Sequence, residues 1–242
     1  MTANRSESLG KLAERMSGKK RIALYGGTFD PVHRGHLAVA RTILQIFEID
    51  ELLFVPAWLA PHKRTRDVTP ALHRYAMLAL ATQQDARLRI SSFELESPDR
   101  SYTVETLSHF ELELGNDAEL FFLMGADSWS EIQTWRDWER LLTMANHIVV
   151  TRPGYELELA GMPDAVLERI VDTRKGREAA GRKSTPPGKW IFFTDAVQLE
   201  ISATEIRRAA RKERFERLVE LVPKSVADYI TKYELYRETN ES

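Results

Sequence analysis

The sequence contains no cysteine among its 242 residues, which excludes disulfide bonds, cysteine-ligated metal sites and a cysteine nucleophile. It also has no excess of charge, because 34 basic residues stand against 36 acidic ones. Nonspecific nucleic-acid binding usually requires a broad basic surface, so this balance argues against that function. No stretch approaches the roughly 20 apolar residues of a membrane span, and residues 1–20 lack the apolar core of a signal peptide. We therefore expect a cytoplasmic protein in which residues 1–20 are a flexible N-terminal tail and residues 237–242 a C-terminal tail.

Apolar runs and amphipathic segments alternate along the rest of the chain. The runs that predict strands are residues 21–26, 51–55, 88–92, 119–124, 146–151 and 190–194. The segments that predict helices are 35–47, 70–83, 103–114 and 202–236, with Pro70 at a first helical position. This order is typical of an α/β protein with a Rossmann-like, doubly wound parallel sheet, extended here by C-terminal helices. Residues 155–189 end in a charged run and predict a surface insertion with a helix and a flexible loop.

The first predicted strand leads into the sequence GGTFDPVHRGHL, residues 26–37. Ligands of such sheets bind at the carboxyl ends of the strands. Gly26 and Gly27 would let the backbone approach a phosphate closely, and the next helix would direct its first N–H groups toward the same anion. His33 and His36 are three residues apart, so both can donate to one ligand and would add attraction if protonated. The alternative is that the glycines only turn the chain and the histidines cap the helix or lie at the surface.

Other readings of this motif find less support. The Walker and dinucleotide-binding glycine patterns are both absent from it. A zinc site is another possible interpretation, but the motif lacks the Glu of an HExxH sequence. A phosphate-binding loop therefore remains the favoured interpretation.

A second motif, ISATEIRR, spans residues 201–208. Ser202 followed by Glu205 fits a capping box, which predicts a helix N-terminus at this point. A helix N-terminus with the hydroxyl of Thr204 and the guanidinium of Arg207 in its first turns is also suited to bind phosphate. From this motif alone, capping and phosphate binding remain equal alternatives.

Both motifs resemble those of a known enzyme family. His33-Arg34-Gly35-His36 is similar to the HxGH signature of the nucleotidyltransferases related to class I aminoacyl-tRNA synthetases, and ISATEIRR resembles the ISSTxIR element of the nicotinate mononucleotide adenylyltransferases. Further resemblances to that family follow in chain order: Pro61-His62-Lys63 (PHK), residues 101–107 (SYTxxTL), Gly125-Ala126-Asp127 (GAD) with Trp135 downstream, Arg152-Pro153-Gly154 (RPG) and residues 221–236 (LVPxxVxxYIxxxxLY). Ala203 departs from the family, in which a second serine is usual. The resemblance implies one nucleotidyltransferase domain over residues 21–236, of which 202–236 form a helical part.

This resemblance assigns roles to individual residues. Those that it implies for ATP are Gly26, Gly27, Thr28, Phe29, His33, His36, Ser202, Thr204 and Arg207. Those that it implies for the mononucleotide are Gly27, Lys63, Tyr102, Thr103, Asp127, Trp135 and Arg152. The catalytic group that it implies consists of His33, His36, Lys63 and Arg207. Plainer roles remain open: burial in the core for Trp135, the start of a helix for Tyr102 and Thr103, a helix cap for Asp127, and a solvated charge for Lys63 and Arg152.

The family implies transfer of AMP from ATP to nicotinic acid mononucleotide, with release of pyrophosphate. No covalent enzyme intermediate is needed, because the 5′-phosphate of the acceptor can attack the α-phosphorus of ATP directly. Mg²⁺ is expected with ATP, held mainly by phosphate oxygens and by no protein ligand. We expect neither nucleic acid nor a membrane as a partner, and assembly into a homo-oligomer stays open.

Other functions share part of this pattern. Pantetheine-phosphate adenylyltransferases and cytidylyltransferases share the first motif, but their acceptors lack a pyridine ring. Nicotinamide mononucleotide differs from the acid by a single group, so it is a closer alternative acceptor. A nucleotide-binding regulator without turnover is a rival of another class, and Ala203 is the position that favours it.

Overall fold

The structure is a computed structural model that describes residues 19–58, 68–96, 102–152, 155–156, 159–174, 188–195, 197 and 201–237. Its strands are β1 (Lys20–Gly27), β2 (Glu51–Pro56), β3 (Leu88–Ile90), β4 (Ala118–Gly125), β5 (Asn146–Val150), β6 (Ile170–Asp172) and β7 (Ile191–Thr194). Its α-helices are α1 (Arg34–Ile46), α2 (Ala71–Thr82), α3 (Thr103–Leu114), α4 (Ala126–Ser130), α5 (Trp138–Met144), α6 (Asp164–Leu167), α7 (Ala203–Arg211), α8 (Phe215–Leu221) and α9 (Lys224–Lys232). Short 3₁₀ helices occupy Phe93–Leu95, Gly115–Asp117 and Ile132–Thr134. Within the described ranges, no helix is long and apolar enough to cross a bilayer.

These strands form one sheet in the order β3-β2-β1-β4-β5-β7-β6. The pairs of β1 with β4, β4 with β5, β5 with β7 and β7 with β6 are parallel. Leu120 to Met124 of β4 are all buried, as a strand covered on both faces requires. The predicted Rossmann-like α/β sheet with C-terminal helices is confirmed.

Two segments differ from what the sequence pattern predicted. Pro70 precedes α2 as its N-cap, with ψ of 140°, and is not the first helical residue. Within residues 155–189, β6 pairs with β7, and Arg174 is buried against the carboxylate of Asp172 at 2.7 Å. A strand of three residues is too short to show an alternating pattern, so the sequence did not indicate β6. The helix expected in this segment is present as α6. Residues 175–187 of the charged run lie outside the described residues.

Two compact units make up the described part of the chain, and their bounds below refer to the described residues within them. The first comprises Met1–Gly26, Thr42–Leu52 and Ser101–Gln198. Its core is formed by the apolar side chains of β4, β5 and β7, with Trp129 edge-on to Phe193 at a centroid distance of 5.1 Å.

The second unit comprises Gly27–Arg41, Leu53–Arg100 and Leu199–Ser242. Its core includes buried side chains of α2 and α9, among them Met77 and Ile230. The hydroxyl of Ser225, at the start of α9, donates to the carbonyl of Leu80 in α2 at 3.2 Å. This unit holds both sequence motifs, apart from Gly26.

Candidate functional site

The loop between β1 and α1 brings His33 and His36 together at the start of the helix. Their imidazole rings stack with centroids 3.6 Å apart and planes inclined by 19°. Each Nδ1 accepts a hydrogen bond at 3.3 Å from the backbone N–H of the other histidine. A Cβ on Gly35 would lie only 3.0 Å from Nδ1 of His33. The glycine of the motif therefore leaves the space that the His33 ring fills.

Both histidines are neutral near pH 7. Burial lowers the pKa of His33 to about 4. Burial, together with the charge of His33, lowers the pKa of His36 well below its usual value. Because each Nδ1 accepts from an amide, the proton of each neutral ring resides on Nε2. The pair thus presents two neutral N–H donors, and the attraction that protonated imidazoles would add does not apply near pH 7.

Phe29 shapes the loop that precedes the histidines. Its φ of 48° is a left-handed conformation that is uncommon for a residue with a side chain. The buried ring lies edge-on to His36, at 5.0 Å, and to Phe54, at 5.3 Å between centroids. A Cβ on Gly27 would approach this ring to 2.9 Å. Gly27 is therefore required by the packing of its own loop, which is a different reason from close approach to a phosphate.

A buried arginine that the sequence did not single out fixes the same loop. Arg74, on α2, has 0% of its surface exposed. Its guanidinium donates to the carbonyl of Thr28 at 2.8 Å and to those of Trp58 and Thr69 at 2.9 Å each. Burial lowers the pKa of Arg74, and the charge of Asp30 opposes that shift. Arg74 thereby ties three chain segments of the second unit together.

Arg207 reaches this loop from α7. Its Nη1 donates to the backbone carbonyl of Asp30 at 2.7 Å, and its Nη2 donates to Oγ1 of Thr204 at 3.4 Å. The side chain of Asp30 is itself held by two donors, the N–H of Thr69 at 3.2 Å and the hydroxyl of Tyr236 at 2.8 Å. Asp30 and Tyr236 lie inside motifs that the sequence showed, but their side chains were assigned no role, because the contact joins positions far apart in the chain.

Ser202 caps α7, as the sequence predicted. Its hydroxyl accepts a hydrogen bond from the N–H of Glu205 at 3.2 Å. The carboxylate of Glu205 accepts from Nε of Arg217, also at 3.2 Å. The helix N-terminus is thus confirmed, whereas phosphate binding by Ser202 and Thr204 stays a prediction. Both side chains are exposed, and Ala203 is the first helical residue.

Residues predicted for the acceptor lie in the first unit, at the start of α3. Tyr102 is the N-cap of this helix and Thr103 its first residue. The N–H of Tyr102 donates to the carboxylate of Glu105 at 3.3 Å. The guanidinium of Arg136 lies over the Tyr102 ring, 4.6 Å from its centroid. The same guanidinium pairs with the carboxylate of Glu105 at 3.5 Å, so the feature of this end of α3 that favours an anion is the positive pole of the helix dipole.

Trp135 is not a core residue. Of the three tryptophans between residues 129 and 138, only Trp129 is buried, whereas Trp135 and Trp138 are partly exposed. Trp135 follows the 3₁₀ helix Ile132–Thr134, and its ring lies edge-on to Phe122 at 6.5 Å. A partly exposed indole is free to stack on a planar ligand ring. The alternative of ordinary core burial therefore holds for Trp129 alone.

Comparison with known proteins identifies the family. The cytidylyltransferase-like family matches residues 24–209 of the chain. A probable nicotinate-nucleotide adenylyltransferase of Nocardioides sp. is 39% identical over 211 residues, which cover 87% of this chain and 91% of that relative. The chain belongs to the nicotinate-nucleotide adenylyltransferase family. A relative of the same name from Thermoanaerobacter sp. is 36% identical over 227 residues, covering 94% of this chain and 99% of its own.

Solved structures of adenylyltransferases share the fold. The nicotinic acid mononucleotide adenylyltransferase of Plasmodium falciparum, complexed with NaAD, superposes with a TM-score of 0.65 at 22% identity and covers 90% of this chain and 97% of its own. A second structure of the Plasmodium falciparum enzyme, complexed with APC, gives a TM-score of 0.64 at 22% identity, covering 90% of this chain and 97% of its own. The architecture described above is therefore that of solved adenylyltransferases.

The remaining predicted residues of this family member are placed as follows. Asp127 is exposed in the first turn of α4, whose N-cap is Gly125, so Asp127 is not the residue that caps this helix. Arg152 is exposed just after β5, and its carbonyl accepts from the N–H of Tyr155 at 3.1 Å. Lys63, with its PHK motif, lies outside the described residues, as do Ser101, Pro153 and Gly154. In the described part of the chain, no group of three or more His, Asp or Glu side chains is arranged to hold a metal ion.

Proposed function

We propose that this protein transfers AMP from ATP to nicotinic acid mononucleotide, forming nicotinic acid adenine dinucleotide and pyrophosphate. One observation in the structure carries this proposal. The neutral His33–His36 pair lies on the same loop as Asp30, whose carbonyl holds Arg207. Such a cluster offers N–H donors of two kinds, which suits a reaction that needs charge stabilisation and no enzyme nucleophile. Membership in the nicotinate-nucleotide adenylyltransferase family supports the same activity.

Transfer proceeds by one displacement. An oxygen of the acceptor's 5′-phosphate attacks the α-phosphorus of ATP, the bond from that phosphorus to the bridging oxygen breaks, and pyrophosphate leaves with the electron pair. The attacking phosphate is already ionised, so no base has to remove a proton. The two Nε2–H groups of His33 and His36 and the guanidinium of Arg207 donate to triphosphate oxygens, on which negative charge increases. ATP enters as its Mg²⁺ complex, with the ion bound mainly by phosphate oxygens.

We assign acceptor binding to the first unit. The N-terminus of α3 at Thr103 supplies backbone N–H donors and a positive dipole end, which favour an anion. The guanidinium of Arg136 beside Tyr102 is paired with the carboxylate of Glu105 at 3.5 Å, so it adds no net charge there. The N-terminus of α3 is therefore the feature that favours the nicotinate carboxylate over the uncharged amide. Trp135 stacks on the pyridine ring, and Lys63, Asp127 and Arg152 contact the phosphate and ribose of the acceptor.

The test measures pyrophosphate release from Mg·ATP with three acceptors in parallel. They are nicotinic acid mononucleotide, nicotinamide mononucleotide and phosphopantetheine. We expect the highest kcat/KM with the acid. A preference for the amide would refute the assignment at Thr103, and a preference for phosphopantetheine would refute the whole acceptor side. No release with any of the three would refute the enzymatic function.

A further inference from the structure

We infer that Tyr236 and Arg74 are positioning residues, which hold Asp30 so that its carbonyl orients the guanidinium of Arg207. The inference rests on the proposed function, in which Arg207 binds the triphosphate of ATP. It adds two residues to that site, one from the C-terminal end of the described chain and one from α2.

Tyr236 fixes the carboxylate of Asp30. The phenol donates to Oδ1 at 2.8 Å, and the N–H of Thr69 donates to Oδ2 at 3.2 Å. Only 7% of the surface of Asp30 is exposed. Burial and the neighbouring charge of Asp30 raise the pKa of Tyr236, so the phenol keeps its proton and remains a donor. A buried carboxylate depends on such donors, because water cannot replace them.

The backbone beyond α9 is bent to bring Tyr236 to this carboxylate. Glu234 has φ of 53° and Tyr236 has φ of 68°, which are left-handed conformations that cost free energy in residues other than glycine. The N–H of Leu235 returns to the carbonyl of Ile230 at 3.0 Å, and Arg237 pairs with Glu213 at 3.1 Å. Strained backbone persists where surrounding contacts determine it. The contact between Tyr236 and Asp30 is one of those contacts.

Arg74 fixes the backbone on either side of the same carboxylate. Its guanidinium donates to the carbonyl of Thr28, two residues before Asp30, and to that of Thr69, whose N–H binds Asp30. Neither the side chain nor the preceding backbone of Asp30 can then move independently. The carbonyl of Asp30 accepts from Arg207 at 2.7 Å, so a displacement of Asp30 would turn the guanidinium. Ligand-binding groups lose effectiveness quickly when their supporting contacts loosen.

The experiment compares Tyr236→Phe with Tyr233→Phe. Tyr233 lies on the same C-terminal segment and is 48% exposed, so its variant removes an equivalent hydroxyl at a matched position. We expect Tyr236→Phe to lower kcat/KM for Mg·ATP about tenfold, while the KM for nicotinic acid mononucleotide changes little. Because the buried carboxylate loses a donor, the melting temperature should also fall. Tyr233→Phe should retain the wild-type kcat/KM. Arg74→Lys should lower kcat/KM for Mg·ATP as Tyr236→Phe does, because a single ammonium cannot donate to three carbonyls in the geometry of a guanidinium.

A double-mutant cycle with Arg207→Ala separates positioning from a general structural role. If Tyr236 acts through Arg207, Tyr236→Phe should have almost no further effect on kcat/KM for Mg·ATP in the Arg207→Ala background. An equal effect in both backgrounds would overturn the inference, as would an unchanged kcat/KM in Tyr236→Phe itself.

Binding of a non-hydrolysable ATP analogue with Mg²⁺, measured by isothermal titration calorimetry, keeps this test independent of turnover. Weaker binding in Tyr236→Phe, together with a wild-type protein that releases no pyrophosphate, would refute the proposed function and leave the positioning role intact. Unchanged binding in Tyr236→Phe, with an active wild-type enzyme, would refute the positioning role alone.

Discussion

Replacement of Gly35 by alanine should separate the stability of the protein from its activity. A glycine in a helix interior destabilises it by about 1 kcal/mol relative to alanine. Gly35 is the second residue of α1, so the substitution would stabilise the helix by at most that amount if nothing else changed. The added Cβ would lie 3.0 Å from Nδ1 and 3.1 Å from Cε1 of His33. The ring would have to move by a few tenths of an ångström, and the hydrogen bond from the N–H of His36, already 3.3 Å long, would be lost.

These two effects are of similar size and opposite sign. A hydrogen bond of this kind contributes about 1 kcal/mol, so we expect the free energy of unfolding of Gly35→Ala to stay within about 1 kcal/mol of the wild type. The displaced imidazole, by contrast, should lower kcat/KM for Mg·ATP about tenfold or more. Chemical denaturation and steady-state pyrophosphate release on the same preparation measure both quantities. A folded Gly35→Ala variant with wild-type turnover would refute the role assigned to the histidine pair.

Three further predictions concern other parts of the structure. The pKa of His33 is lowered to about 4 in the folded protein from about 6.5 in the unfolded chain, so the unfolded state binds a proton first as the pH falls. His33 should therefore lower the free energy of unfolding by up to about 3 kcal/mol between pH 6.5 and pH 4. Denaturation at several pH values should show a smaller loss of stability in His33→Asn than in the wild type. Trp135→Ala should raise the KM for nicotinic acid mononucleotide about fivefold without changing the KM for ATP. In the same kinetic assay, Trp135→Phe should have a KM for the mononucleotide close to that of the wild type. An equal rise in both KM values would contradict stacking. Asn146→Ala should lower the free energy of unfolding by about 3 kcal/mol. In the core, the amide nitrogen of Asn146 donates to the carboxylate of Glu119 at 2.8 Å, and its amide oxygen accepts from the N–H of Trp190 at 2.9 Å. A loss below 1 kcal/mol in a denaturation curve would show that water satisfies these groups.

The sheet was largely predictable because its strands have strong local patterns. The uninterrupted apolar run of β4 and the amphipathic pattern of α3 predicted elements within one residue of their observed bounds. In β6 the pattern fails because the strand has three residues and is stabilised by its pairing with β7. Local sequence carries periodicity, whereas the pairing of an edge strand depends on a partner about 20 residues away.

The candidate site divides in the same way. His33, His36, Ser202 and Arg207 belong to short motifs, so the sequence indicated them directly. Arg74 occupies an ordinary helical position, and only the fold shows that three carbonyls surround its guanidinium. The sequence also could not predict that His33 and His36 are neutral near pH 7, because their lowered pKa values follow from burial in the folded chain.

The two edge strands of the sheet affect how readily one copy of the protein can pair with another. The outermost strands of the described sheet, β3 and β6, each contain only three residues, so each offers few backbone donors and acceptors for pairing with another chain. Long exposed edges act as templates for intermolecular strand addition and aggregation. The brevity of both outer strands thus limits edge-to-edge pairing of the sheet with another chain.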